Sequence, residues 1–307
     1  VNEEGWRAVE LGIKFMHRFI LHNDEIHEAS APVLSAGQVG LLAGWGVFST
    51  LRVCQGVLFA WERHWERMRK DAAALHVPFP SDPEYIRERV MKLIRANGTP
   101  DATLRVVVVR NRPGIWQGPV EQDFDLVALS TAVKDWGAGV NLTVRPQARH
   151  AASDFRGVKI LSWALNLTML EEAQTAGFDE VILLNERGEV SECTSANIFI
   201  AEGNQVWTPP LDSGCLPGVT RDVLLDEIRV EGITTGEKVI SPEDLERADE
   251  VFITSTTRDL LPVLSIERRP LCQKGRARAA LQDAFRRYVD NYIQQHASIP
   301  AHADHLS

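Results

Sequence analysis

The stretch Leu104 to Val109 constrains this chain more than any other, because it is a nearly unbroken β-branched run without polar alternation. Such a run reads as a strand buried on both faces, so the surrounding sequence has to cover it. Around it lie signals for both helix and strand. Arg18 to Val33 reads as two strand segments around the turn-prone Asn23-Asp24, and Val47 to Phe59 as a hairpin turning at Gln55-Gly56. Trp61 to Leu75 and Pro83 to Ala96 have the spacing of amphipathic helices. Near Lys134 to Gly139 the character changes, and Trp136-Gly137-Ala138-Gly139 separates two strand-like runs. The fold class expected is therefore α/β, with a smaller N-terminal α+β domain over 1–133 and a larger C-terminal domain over 138–307.

In the second part strands and helices alternate. Asn141 to Arg145 reads as a strand and Leu161 to Ala176 as a helix ended by Gly177. Glu180 to Leu184 is a strand, with Arg187-Gly188 turning into the next, and Ile198 to Ile200 pairs with Gln205 to Trp207 around Gly203-Asn204. Thr220 to Glu231 and Ser241 to Arg247 read as helices, Glu250 to Ile253 as a strand, and Lys274 to Gln294 as the closing helix before a fraying tail.

Charge and composition exclude several classes. A net charge of −9, with no basic block or aromatic-interleaved basic stripe, argues against a nucleic-acid partner. No run of eighteen apolar residues appears, so no membrane span is expected. Val1 to Lys14 lacks the basic-then-apolar layout of a secretory signal. Cys54, Cys193, Cys215 and Cys272 are far apart, which suits reduced thiols in a cytoplasm. The histidines form no ligand pair within an element, and His302 and His305 lie in the polar tail, so no metal is expected. Neither a Gly-x-Ser-x-Gly elbow nor a phosphate loop ending in Gly-Lys-Ser/Thr is present, and Gly44-Trp45-Gly46 has no dinucleotide-binding context.

The chemistry gathers around a few polar residues that need explaining. Lys159, within Gly157-Val158-Lys159-Ile160-Leu161, is either a snorkelling lysine or an amine desolvated enough to attack a carbonyl. Glu192 sits among small residues before the apolar Ile198-Phe199. Pro217 and Gly218 precede a helix at Thr220, leaving its first N–H groups free for an anion. Thr254-Ser255-Thr256-Thr257, after the strand at Glu250, offers hydroxyls for the same purpose.

The order Glu192-x-Thr194-x-x-Asn197-Ile198-Phe199, then Thr208 after a short hairpin, then Leu216-Pro217-Gly218-Val219-Thr220-Arg221, resembles the signature of the class IV aminotransferases. Gly44-Trp45-Gly46-Val47-Phe48, Arg63-His64-Trp65-Glu66-Arg67-Met68, Lys159 and Phe252-Ile253-Thr254-Ser255-Thr256 resemble further segments of that family, so the likeness spans roughly Gly40 to Val263. It implies the fold type IV architecture shared with the D-amino-acid aminotransferases, whose larger domain is barrel-like. It also implies a homodimer in which the partner lends loops to each site, and pyridoxal 5'-phosphate as cofactor. By the same resemblance Lys159 is the catalytic Schiff-base lysine, and Glu192 sits against the pyridine nitrogen. Arg67, Val219, Thr220, Ser255 and Thr256 would bind the phosphate, and Leu216 would pack on the ring. From the residues alone, the alternative for Arg67 is a solvated helix face, and Leu216 fits a core as well as a ring contact.

For the substrate, the resemblance points to Phe48, Arg105, Trp163 and Thr257. Arg105 interrupts an apolar strand and aligns with a basic residue used near substrate carboxylates. Arg112 to Gln117 lacks the Arg-x-His trap of the D-amino-acid enzymes, which argues for an L-amino acid. Subgroup signals conflict: Trp45 replaces a usual Asp, Ser49-Thr50 resembles the lyases, Trp163 stands near a usual Tyr, and Leu216 to Thr220 resembles the branched-chain enzymes. The expected activity is transfer of an amino group from an L-amino acid, a branched-chain one among the candidates, to 2-oxoglutarate. The alternative is a 4-amino-4-deoxychorismate lyase releasing pyruvate and 4-aminobenzoate. A cofactor binder without turnover is disfavoured by the presence of both Lys159 and Glu192.

Overall fold

In the computed structural model, which describes residues 16–113, 118–271 and 274–297, the first sheet joins β1 (Met16–His22), β2 (Glu25–Glu28), β3 (Gly46–Cys54), β4 (Val57–Leu58), β5 (Ala102–Arg110) and β6 (Phe124–Thr131). Helices α1 (Val39–Ala43), α2 (Trp61–Ala74) and α3 (Pro83–Asn97) connect them. The strand order is β2-β1-β6-β5-β3-β4, with all pairs antiparallel. β5 carries the Leu104 to Val109 run between β6 and β3, and its period of two separates the faces. Leu104, Val106 and Val108 pack in the core beneath α2 and α3, whereas Val107 and Val109 meet Phe48 on the opposite face. Arg105 belongs to that opposite face, which explains how an arginine fits inside an apolar run.

The helices obey their terminal chemistry. At the start of α3, Asp82 caps the Glu84 N–H at 3.0 Å and Pro83 occupies the first turn; Gly98 closes it with φ +62°. In α2 the buried stripe is His64, Arg67, Met68, Asp71 and Ala72, the spacing of a core-facing helix with polar groups in apolar places.

The second sheet comes from β7 (Val140–Arg149), β8 (Glu180–Asn185), β9 (Val190–Cys193), β10 (Asn197–Glu202), β11 (Gln205–Thr208), β12 (Thr234–Glu237), β13 (Glu250–Ser255), β14 (Asp259–Ile266) and β15 (Arg269–Pro270). Helices α4 (Ala164–Thr175), α5 (Val219–Asp226), α6 (Pro242–Arg247) and α7 (Ala277–His296) accompany it. The order is β12-β11-β10-β13-β14-β7-β8-β9, with β15 on β14; β7 is parallel to both β8 and β14. From β9 the chain passes directly into β10, and Cys193 N–H donates to Ala196 O at 2.8 Å. The strand path thus curls back toward its own middle as a half-barrel. Ile198, Ile200, Val251 and Ile253 fill its inside, while Phe199, Ala201 and Phe252 face α5 and α7. That double burial accounts for the continuous apolar character of β10 and β13.

Several boundaries differ from the sequence expectation. The helix expected from Leu161 starts at Ala164, because Leu161 N–H is used by Gly46 O at 2.9 Å. The helix from Thr220 ends at Asp226 rather than Glu231, because Ile228 turns into the core and Val230 bridges Ile233. The closing helix begins at Ala277, and the second N-terminal strand stops at Glu28. β12 and β14 were not legible: β12 is short and polar, and Pro262 interrupts the apolar run of β14. Val1 to Lys14, Cys272, His302 and His305 lie outside the described residues. Among the described residues, no helix is long and apolar enough to cross a membrane, and no cluster of His, Cys, Asp and Glu could hold a metal.

Phe252 stacks on Phe199 with centroids 5.2 Å apart and sits in the wall between half-barrel and helices. Phe252→Ala is expected to cost about 3–5 kcal/mol of stability, measured as a lowered urea midpoint at unchanged m-value. A loss well under 1 kcal/mol would show that this wall collapses without penalty.

Candidate active site

A cavity of about 600 Å³ opens where the outer face of β3 and β5 meets the ends of β9 and β13. Phe48, Arg67, Arg105, Lys159, Trp163, Glu192, Leu216, Val219, Thr220, Ser255, Thr256 and Thr257 all line it. The structure therefore brings together every site residue read from the sequence.

Lys159 is fixed through its backbone. Its carbonyl accepts from Phe48 N–H at 3.3 Å, and the next residue, Ile160, forms a bridge with Val47. Gly157 approaches this point with φ +70°, and a Cβ there would come within 3.0 Å of Cys215 O, so glycine is needed for the close approach. The Nζ atom lies 4.7 Å from the Phe48 ring centre and 5.8 Å from that of Trp163. Part of the residue's surface opens to the cavity, and the packing around it strips much of the water from the amine. Desolvation, followed by the positive charge of Arg67, brings its pKa from the ordinary 10.5 down to about 7.

Arg67 defines an anion end. It is nine-tenths buried; Nη2 donates to Ser49 Oγ at 2.8 Å, Nη1 reaches Pro217 O at 3.5 Å, and Nε has no partner. Among the described residues it makes no ion pair, and a buried guanidinium left that way is unfavourable. Ser49 also meets His64 Nδ1 at 2.8 Å; burial holds His64 well below its usual pKa and therefore neutral at pH 7. Beside Arg67 the first turn of α5 has no side-chain cap, because its N-cap is Gly218. A Cβ on Gly218 would fall 2.0 Å from Asn197 Oδ1, and Asn197 is itself held by a 2.8 Å bond to Leu216 O. Thr254 Oγ1 is buried without a partner nearby on the lining. Free donors of this kind fit a phosphate group.

At the other side stands Glu192. Its Oε1 accepts from Arg149 Nε at 2.8 Å and its Oε2 from Leu216 N–H at 3.0 Å. Arg149 continues to Asn166 Oδ1 at 3.3 Å, and Asn166 donates to Thr194 O at 2.7 Å. A second buried pair supports the hydroxyl loop: Arg258 meets Glu180 at 3.3 Å and donates to Ser195 O at 3.1 Å, while its guanidinium lies 3.9 Å over Trp136. Sequence reasoning missed Arg149, Asn166, Glu180 and Arg258. Glu180 carried a usable signal, since an acid opening a buried strand demands a cation.

Arg105 faces the remaining space. Its guanidinium lies 4.6 Å from the Phe48 ring centre, burial depresses its pKa, and it makes no ion pair among the described residues. A ligand carboxylate would complete it. Trp45 does not reach the cavity: its Nε1 donates to Leu75 O at 2.8 Å, and Arg110 stacks on its ring. Trp163 does, edge-on to Phe48 at 5.8 Å. Of the segment used to argue against D-amino acids, residues 114–117 lie outside the described residues. An amine that loses its proton near neutrality, an anion end and a paired carboxylate together suit a phosphate-bearing aldehyde, which is the chemistry of pyridoxal 5'-phosphate.

In cofactor-free protein the Lys159 amine should become reactive toward an acylating reagent with a midpoint near pH 7, read by mass spectrometry of the labelled peptide. Between about 7 and the unfolded value of 10.5 the unfolded chain holds the extra proton, so this group adds stability as pH rises through that window. A midpoint near 10 would contradict the desolvated environment.

The family model described as amino-transferase class IV matches residues 46–266. A protein of Methanocaldococcus jannaschii named "Putative branched-chain-amino-acid aminotransferase" is 30% identical over 277 residues, covering 88% of this chain and 95% of that one. The D-alanine aminotransferase of Bacillus licheniformis is 28% identical over 253 residues, covering 81% and 88%. Among solved structures, the branched-chain aminotransferase of Thermoproteus uzoniensis with norvaline superimposes with a TM-score of 0.81 at 26% identity, over 91% of this chain and 98% of that one. The architecture is that of fold type IV. A family match over most of the chain, on a fold that closes around a desolvated lysine and an anion end, makes this protein a member of the class IV aminotransferases, which work with pyridoxal 5'-phosphate.

Proposed function

We propose that the enzyme transfers the amino group of an L-amino acid, branched-chain ones included, to 2-oxoglutarate, with Lys159 as the catalytic residue that holds the cofactor covalently. The observation that carries this reading is Lys159 on the cavity lining with Arg67 and Glu192, its pKa brought down to about 7 by burial and then by Arg67. When bound, pyridoxal 5'-phosphate supplies an aldehyde for amines and a ring that accepts electrons from the substrate α-carbon. An amine poised near neutrality takes and returns the α-proton with little driving-force penalty. Glu192 is oriented by Arg149 and the Leu216 N–H, and would hold a proton on the ring nitrogen. Arg67, the first turn of α5 at Val219 and Thr220, and Ser255 and Thr256 bind the phosphate, and Leu216 packs on the ring. Arg105 takes the substrate carboxylate over Phe48, with Trp163 and Thr257 bounding the side-chain space.

The names of the M. jannaschii and T. uzoniensis proteins support branched-chain substrates. We take 1–133 and 138–307 as the two domains, since the sheets draw on either side of that division. Phe155 and Leu165, large apolar side chains exposed at the cavity rim, favour a homodimer in which a second copy covers them. The buried free thiols Cys54, Cys193 and Cys215 suit a cytoplasmic setting.

Adding L-leucine to cofactor-loaded enzyme without any keto acid should abolish the long-wavelength cofactor band, and 2-oxoglutarate should restore it. A response to D-alanine alone would overturn the L-specific reading, and release of pyruvate with 4-aminobenzoate from aminodeoxychorismate would overturn transamination. Arg105→Ala should raise KM for the amino acid by about tenfold or more while leaving the cofactor band intact; an unchanged KM would remove Arg105 from substrate binding.

A further inference from the structure

Ser49 interrupts an apolar row. Val47, Leu51 and Val53 lie on its side of β3 and belong to the core beneath α2 and α3, and Ser49 itself is 0% exposed, in register with Val106 of β5. From α2 it is met by His64 and Arg67, three residues apart on one helix face. His64 is also 0% exposed. Polar groups in places where apolar ones would pack without penalty need a reason. Of the three, Arg67 alone lines the cavity, so whatever the other two do there they do through it.

We propose that Ser49 and His64 are positioning residues for Arg67: a chain of hydrogen bonds running one way, from Arg67 Nη2 to Ser49 Oγ and from Ser49 Oγ to His64 Nδ1, each 2.8 Å, holds the guanidinium at the anion end without neutralising it. The direction follows from the donors available. Arginine can only donate, so Ser49 Oγ accepts from it and has its own proton left to place. If His64 Nδ1 donated as well, that proton would lack an acceptor in a fully buried position; with Nδ1 accepting, Nε2 is the one ring or hydroxyl atom of the pair without a partner. The ring is then the neutral tautomer with its proton on Nε2, in keeping with the burial and the positive charges of Arg67 and Lys159 that hold its pKa down. Glu192 is oriented by a cation that compensates its charge. Arg67 is oriented by a chain that ends in a neutral acceptor. Asp71 and Asp222 ease the cost of its charge, but neither forms a hydrogen bond or ion pair with it among the described residues. The guanidinium therefore takes its direction from Ser49 and keeps its charge for a phosphate.

This inference rests on Arg67 taking the phosphate, as proposed above. In full-length protein carrying 15N-labelled histidine, with His64→Asn used to assign the signals, Nδ1 should show the shift of a bare ring nitrogen and Nε2 that of a protonated one. The reverse pattern, or a doubly protonated ring, would overturn the direction of the chain, and this readout needs no variant to fold for function. Ser49→Ala and His64→Ala should each weaken binding of inorganic phosphate to the cofactor-free protein by about fivefold or more. His64→Asn, which can present an oxygen where Nδ1 stands, should bind within about twofold of the unaltered protein. Unchanged binding in Ser49→Ala, or equal losses in His64→Asn and His64→Ala, would leave the pair as packing residues and sink the proposal. Arg67→Ala should abolish phosphate binding. If it does not, the phosphate reading of Arg67 fails and the positioning role with it; if it does while Ser49→Ala binds normally, only the positioning role is lost.

Discussion

The site depends on a short backbone pairing between the sheets. The free end of β3, at Gly46 to Phe48, meets the segment at Lys159 to Leu161 through one bridge and two flanking hydrogen bonds. β4 covers only the far end of β3, so this end has unpaired backbone groups that another chain segment must satisfy. The segment that satisfies them carries the lysine. The same pairing places Phe48 beneath the amine and sets the first sheet's outer face against the half-barrel. The two halves are further joined where Val57, Phe59 and Ala60 enter the core around α7.

Around this hinge of structure the buried charges are handled unequally, and the inequality is informative. Glu192 with Arg149 and Glu180 with Arg258 are matched pairs whose carboxylates also accept from backbone or hydroxyl donors. Matched pairs of this kind hold geometry. Arg67 and Arg105 make no ion pair among the described residues; the carboxylates of Asp71 and Asp222 offset only part of Arg67's desolvation, and an arriving anion adds to it at both. The fold thus keeps its uncompensated charge where a ligand enters and its compensated charge where the walls must stay still.

Much of this was legible in the sequence, and the reasons are physical. The β-branched run of β5, the hairpin at Gln55-Gly56 and the capped helix at Pro83 rest on local rules that tertiary packing did not override. The residues around the cavity were readable because their order resembles a family signature. Arg149 and Asn166 were not, since their importance comes from partners far away in the chain: Glu192 for the first, Thr194 for the second. The end of α5 was misjudged because Ile228 is pulled into a core built largely by α7, and no window around residue 228 shows that.

Gly218 has a consequence for how this protein could change over time. The space a side chain would need there is already filled by Asn197, which holds the turn through Leu216 O. Position 218 is therefore closed to substitution while Asn197 stays, and changing Asn197 first releases the turn that makes glycine worth keeping. The two positions form a lock in sequence space: either step alone damages the anion end, so drift there requires a double change. Variation in this enzyme's descendants should accordingly accumulate at the substrate side of the cavity, where Thr103 and Trp163 carry no such mutual exclusion.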